Sequence, residues 1–108
     1  MKRGEVWVGA GPNYVSKPRP VIVIQDDAFA ELQSVTVLPV TSVETESTLL
    51  RVSVLPSKEN GLRAPSFAMV DKVTTVRREQ LVSRLGVITP AELAKMNQAL
   101  MVFLGLTR

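Results

Sequence analysis

Apolar and polar positions alternate from the fourth residue onward. In Gly4-Glu5-Val6-Trp7-Val8, Val6 and Val8 share one face and Glu5 and Trp7 the other, which predicts a short strand. Gly9 through Lys17 is punctuated by Gly, Pro, Asn and Ser and reads as a loop. Pro20-Val21-Ile22-Val23-Ile24-Gln25 is apolar on both parities and β-branched, the pattern of a central strand covered on both faces. Asp26 and Asp27 then predict a capped helical turn reaching Leu32. Val35 to Thr41 reads as a third strand. Pro39 has no N–H for a ladder, so it is expected at an edge or bulge near that strand's end. Glu44 to Thr48 is polar and reads as an exposed loop. Arg51 to Leu55 alternates again with Val52 and Val54 inward, and a loop with Pro56, Gly61 and Pro65 leads to a long strand from Phe67 to Val76.

The period changes in the last third. Glu79 to Arg84 predicts a short helical segment stopped at Gly86. Thr89-Pro90-Ala91-Glu92 is a capping box, with Thr89 at the N-cap, Pro90 at the first helical position and Glu92 at the third. The helix it starts aligns Leu93, Met96, Leu100 and Leu104 on one stripe, flanked by Asn97 and Met101, and ends at Gly105. Five short strands followed by a docked helix make a small, mostly antiparallel barrel or curled sheet, in the all-β to α+β range.

Composition narrows the chemistry. With 108 residues, 45% hydrophobic and 21% charged, the chain has room for one domain with one core, spanning 1–108. It contains neither cysteine nor histidine, which removes thiolate nucleophiles, histidine acid–base pairs and nearly every zinc site. No cofactor or metal is expected, and the chemistry falls to Arg, Lys, Asp, Glu, Ser, Thr and Tyr. No secretory h-region follows the first residues and no apolar run spans a membrane, so a cytoplasmic protein is expected. A net charge of +3 favours an acidic partner, nucleic acid or an acidic peptide, although the same charge also serves solubility.

Three stretches could carry the chemistry. In Lys17-Pro18-Arg19-Pro20, prolines restrict the backbone on both sides of Arg19 and hold its fork at the mouth of a buried strand. That suits a phosphate clamp; the alternative is an arginine that closes a loop against a surface carboxylate. Thr41 and Ser42 place two hydroxyls at a strand end, where they can bind a phosphate oxygen or form a local turn. Asp71 interrupts an apolar run, so its carboxylate is either buried and paired or set on a bulge facing a site. Trp7 and Tyr14 could stack unpaired bases, and Lys17, Lys72, Arg77 and Arg78 could track a nucleic-acid backbone. Packing and a solvated face are the plainer readings of the same residues.

Taken in order, several blocks resemble the MazF/PemK-like toxins over nearly the whole chain. They are Lys2-Arg3-Gly4-Glu5-Val6-Trp7, Arg19-Pro20-Val21, Asp26-Asp27-Ala28-Phe29, Leu38-Pro39-Val40-Thr41-Ser42 and Asp71-Lys72-Val73-Thr74-Thr75-Val76, closed by the capped helix. The resemblance implies an SH3-like barrel that forms a homodimer. It implies a sequence-specific endoribonuclease that cuts single-stranded RNA without a metal, leaves 2′,3′-cyclic phosphate and 5′-hydroxyl ends, and is inhibited by a cognate antitoxin. By motif, Arg19 and Thr41 match the family's catalytic pair and Asp71 an acidic position that some members use at the site.

Two departures bear on mechanism. The loop before Arg19 is short and carries neither acid nor histidine, and the position two residues before Asp71, an arginine in some members, is Met69. Arg19 and Thr41 are therefore favoured, with Asp71 a candidate base. Two other functions stay open: a CcdB-like gyrase poison, which shares this barrel, and a catalytically impaired RNA-binding homologue. The gyrase toxins present an aromatic near the end of the last helix, whereas here Phe103 is followed by Leu104-Gly105-Leu106-Thr107-Arg108.

Overall fold

A computed structural model describes residues 1–11, 17–44 and 49–108. Tyr14 and most of the two loops expected at Gly9–Lys17 and Glu44–Thr48 lie outside the described residues. Among the described residues, seven strands form one antiparallel sheet: β1 (Glu5–Gly9), β2 (Arg19–Val23), β3 (Ser34–Thr41), β4 (Arg51–Val54), β5 (Ser66–Met69), β6 (Thr74–Arg77) and β7 (Leu81–Val87). One α-helix among them, α1 (Pro90–Phe103), follows. The strand order is β4-β5-β3-β2-β1-β7, with β6 also paired to β3.

β2 lies between β1 and β3, as its unbroken apolar pattern requires. Ile22 enters a core shared with α1 that includes Val6, Leu38, Val70 and Met96. In place of the single core expected, Val21 and Val23 enter a second one with Val35, Val37, Val76 and Leu81, against which Trp7 is half-buried, because β2 turns alternate side chains to opposite faces of the sheet. Asp26 caps a 3₁₀ turn at Asp27–Phe29, accepting from the Ala28 N–H at 2.8 Å. The capping box at Thr89 and Glu92 is present with both of its hydrogen bonds.

Four local expectations are corrected. The run from Phe67 to Val76 is not one strand: a 3₁₀ turn at Val70–Lys72 separates β5 from β6. Ala68 and Val70 bury in the helix-side core, whereas Val76 buries in the other. The turn carries the same parity from one core to the other. The predicted helix at Glu79–Arg84 is a 3₁₀ turn at Arg78–Gln80 followed by β7, because β1 supplies a partner along Glu5–Gly9. Pairing across sequence outweighs local preference there.

Pro39 is not at an edge. It pairs with Val21 inside the sheet, at the point where the other side of β3 passes from β6 (Ser34–Val37) to β5 (Val40–Thr41). A residue without an N–H stands where that ladder is interrupted. Finally, α1 buries Met96, Ala99 and Leu100, but Leu104 is its C-cap and is exposed, as are Met101, Val102, Phe103 and Leu106.

Candidate active site

The partner change at Pro39 sets the geometry of one end of the sheet. The β2–β3 register pairs Val21 with Pro39, and continuing it two residues outward sets Arg19 opposite Thr41. Arg19 opens β2 across from Gly9, and Thr41 ends β3 across from Phe67. Between them is a cleft of about 370 Å³, lined by Lys17, Arg19, Thr41, Ser42, Val43 and Ser66 with Pro18, Pro20 and Val40. Four sequence-predicted residues thus converge: Lys17, Arg19, Thr41 and Ser42.

The cleft gathers cationic and hydroxyl groups. Arg19 and Lys17 are exposed, and among the described residues neither has an ion-pair partner. The Val43 N–H donates to Thr41 Oγ1 at 3.1 Å. That bond occupies one acceptor position and fixes the oxygen, leaving the Thr41 proton for an outside acceptor. Ser66 is buried and its hydroxyl donates to the Ala64 carbonyl at 2.9 Å. A guanidinium, an ammonium and oriented hydroxyls around a few hundred cubic ångströms match a phosphate and its neighbouring sugar.

Asp71 is not part of this cleft. It lies in the Val70–Lys72 turn and forms an ion pair with Arg51, whose side chain is 15% exposed against 30% for Asp71. Lys72 is exposed on the same turn. Arg77 lies opposite Ser34, seven residues along β3 from Thr41, and pairs with Glu79 at 3.5 Å between two exposed side chains.

Trp7 is held elsewhere as well. Its indole N–H donates to Glu5 Oε1 at 3.0 Å, and its ring packs on the second core. Glu5 also accepts from the Lys2 N–H (2.8 Å) and from Arg84 Nε (3.0 Å). Burial alone would raise the Glu5 pKa, but the hydrogen bonds from Lys2, Trp7 and Arg84, with the Arg84 charge, hold it below the usual 4.5.

Residues 2–104 match the PemK-like, MazF-like toxins of type II toxin–antitoxin systems. The chain belongs to this family. It is 43% identical to the probable endoribonuclease MazF of Mycolicibacterium smegmatis over 98% of both chains, and 28% identical to endoribonuclease MazF9 of Mycobacterium tuberculosis with the same coverage. A chain so close to a MazF endoribonuclease along its whole length is an enzyme of that class. Solved structures share the fold: a mycobacterial endoribonuclease in complex with its cognate antitoxin (TM-score 0.83, 24% identity, 98% of this chain and 96% of that one). A MazE–MazF complex from Deinococcus radiodurans follows (TM-score 0.77, 22% identity, 97% and 96%).

Against this MazF-like frame, sequence reasoning missed three contributors. Val43 orients Thr41 through its backbone, and Ser66 reaches the cleft from a different strand; no local pattern marks either. By sequence Arg51 marks only the start of an alternating strand. Its Cα partner on β5 is Met69, the position where some family members carry an arginine. A guanidinium therefore meets Asp71 after all, supplied across the ladder.

Proposed function

We propose that this MazF-like toxin cuts single-stranded RNA at short recognition sequences by transesterification, leaving 2′,3′-cyclic phosphate and 5′-hydroxyl ends. The observation that carries the reading is Arg19 facing Thr41 across one cleft with Lys17 and Ser42. The substrate brings its own nucleophile. The 2′-oxygen attacks phosphorus in line, the bond to the 5′-oxygen breaks, the 2′-proton leaves to water in the open cleft, and the 5′-oxygen takes up a proton. The protein positions the reacting atoms and offsets the charge that grows on the non-bridging oxygens. Arg19 does so with a bidentate fork and Thr41 with a hydrogen bond, while Lys17 and Ser42 hold the adjoining backbone. Nothing in this sequence of steps draws on a metal. Asp71, already paired to Arg51, acts structurally.

Regulation follows the family pattern in this reading: a cognate antitoxin restrains the toxin in the cytoplasm. No helix among the described residues is long and apolar enough to cross a membrane. The exposed apolar end of α1, with Met101, Phe103, Leu104 and Leu106, supports homodimer formation.

The test is cleavage of single-stranded RNA by antitoxin-free protein in EDTA, with end-group analysis. Cyclic-phosphate and 5′-hydroxyl ends are expected. Cleavage that requires a divalent ion, or that yields 5′-phosphates, overturns the mechanism, and inhibited supercoiling without cleavage points to a gyrase poison.

A further inference from the structure

A second cleft adjoins the first. It has a volume of about 360 Å³, within the roughly 300–1,000 Å³ range of small-ligand sites, and shares Pro20 and Ser66 with the Arg19–Thr41 cleft. Its walls are Val8, Pro20, Leu62 and Leu85, and among the described residues Arg63 is its one charged side chain. Among the described residues Arg63 makes no hydrogen bond or ion pair, and it is exposed.

The wall bearing Arg63 is rigid. Asn60 is buried, and its Oδ1 accepts from the Ser57 N–H (3.0 Å) and the Leu62 N–H (2.9 Å). Its Nδ2 donates to the Leu55 carbonyl at 2.8 Å, and its own N–H donates to Ser57 Oγ at 3.0 Å. Two glycines press this loop onto β7. A Cβ on Gly61, which has φ +71°, would lie 2.4 Å from the Leu85 carbonyl oxygen. One on Gly86 would lie 2.0 Å from the Glu59 carbonyl oxygen. So close an approach of two backbones fixes where Arg63 leaves the chain.

From this arrangement we infer that the second cleft holds the base flanking the scissile phosphate, and that Arg63 selects guanine there. The inference rests on the RNA-cleaving function proposed above. When a phosphate occupies the Arg19 cleft, the attached nucleotide must turn its base toward one neighbouring surface, and this cleft borders it at Pro20 and Ser66. Apolar walls suit the two faces of a base better than a second phosphate, which needs polar partners. A single guanidinium at the rim of an apolar slot presents the fork that matches O6 and N7 of guanine, the commonest bidentate partner of arginine; adenine and uracil present no such pair of adjacent acceptors.

Cleavage-site sequencing on a randomised single-stranded RNA pool tests the inference with wild type, Arg63→Ala, Arg63→Lys and Arg19→Ala. Wild type is expected to favour guanine at one position beside the cut. Arg63→Ala should lower that preference by about 5- to 150-fold, and Arg63→Lys should restore it only in part. Melting should be unchanged, because Arg63 is exposed. Arg19→Ala should slow cleavage while its residual cuts keep the guanine preference. A wild-type profile without guanine enrichment overturns the inference, as does a uniform loss of rate in Arg63→Ala with the profile intact, which would make Arg63 a phosphate contact. Failure of wild type to cut any RNA overturns the function proposed above and this inference with it; cutting with an Arg63-independent profile overturns the inference alone.

Discussion

Arg51 stands across the β4–β5 ladder from Met69 and closes an ion pair with Asp71, two residues further along the chain. The pair ties β4 to the turn that packs against α1. Because both side chains are largely buried, removing one partner strands the other's charge.

Asp71→Asn is accordingly expected to lower stability by about 2–3 kcal/mol while the folded fraction cleaves RNA at a near-normal rate. Denaturant unfolding and single-turnover cleavage, measured together, check this. A rate loss of about 100-fold at unchanged stability would restore Asp71 to the role of a general base.

Arg19 predicts the opposite pattern. Arg19→Ala should lose roughly 3–4 kcal/mol of transition-state stabilisation, on the order of 10²–10³ in rate, with unchanged melting and modestly weaker RNA binding. Arg19→Lys should recover only part of the rate, because an ammonium keeps the charge and lacks the fork. Thr41→Val should also slow cleavage. An Arg19→Ala protein that melts early and cuts normally per folded molecule would make this arginine a loop fastener.

The two residues differ in how far sequence reveals them. Prolines flank Arg19, so its placement at a strand opening is local and legible. Asp71 offered two readings from its parity, buried and paired or facing a site, and the choice belonged to Arg51, twenty residues earlier.

Glu5 provides a pH-dependent test. Its carboxyl titrates below 4.5, so its contribution is fully present above that pH and is lost as pH falls through the lowered native pKa. Glu5→Gln should be less stable than wild type at pH 7, and the gap should narrow as pH falls through the lowered native pKa. Thermal unfolding of both proteins between pH 3 and pH 7 checks it. A constant gap would mean that the carboxylate's hydrogen-bonding shape matters and its charge does not.

The buried asparagine predicts a loop effect. Asn60→Ala removes three part-buried hydrogen bonds made by one side chain and leaves the Leu55 carbonyl and the Ser57 and Leu62 N–H groups without that partner, at a cost of about 1–3 kcal/mol. Amide exchange should quicken first at Ser57 and Leu62. Uniform quickening across the protein would show instead that the loop unfolds with the core.

Several features were determined by the sequence alone, because each depends on neighbours a few residues away. The capping box at Thr89 and Glu92 is a matter of spacing, as is the Asp26 cap. β2 reads as covered on both faces because Val21, Ile22 and Val23 leave no polar parity. The absence of histidine and cysteine limits the chemistry without any fold. Tertiary structure decided what depends on distant partners. Leu81–Val87 is a strand because β1 offers its edge, and the 66–77 run breaks because its two halves bury in different cores. Leu104, on the right stripe by period, is exposed because α1 ends there and runs past the surface it covers. The arginine that neutralises Asp71 comes from another strand. Most consequential for function, Arg19 stands opposite Thr41 only through the β2–β3 register, a choice made by pairing energy summed along both strands. Side-chain period is a local property of a chain, whereas register and partner are properties of two segments at once.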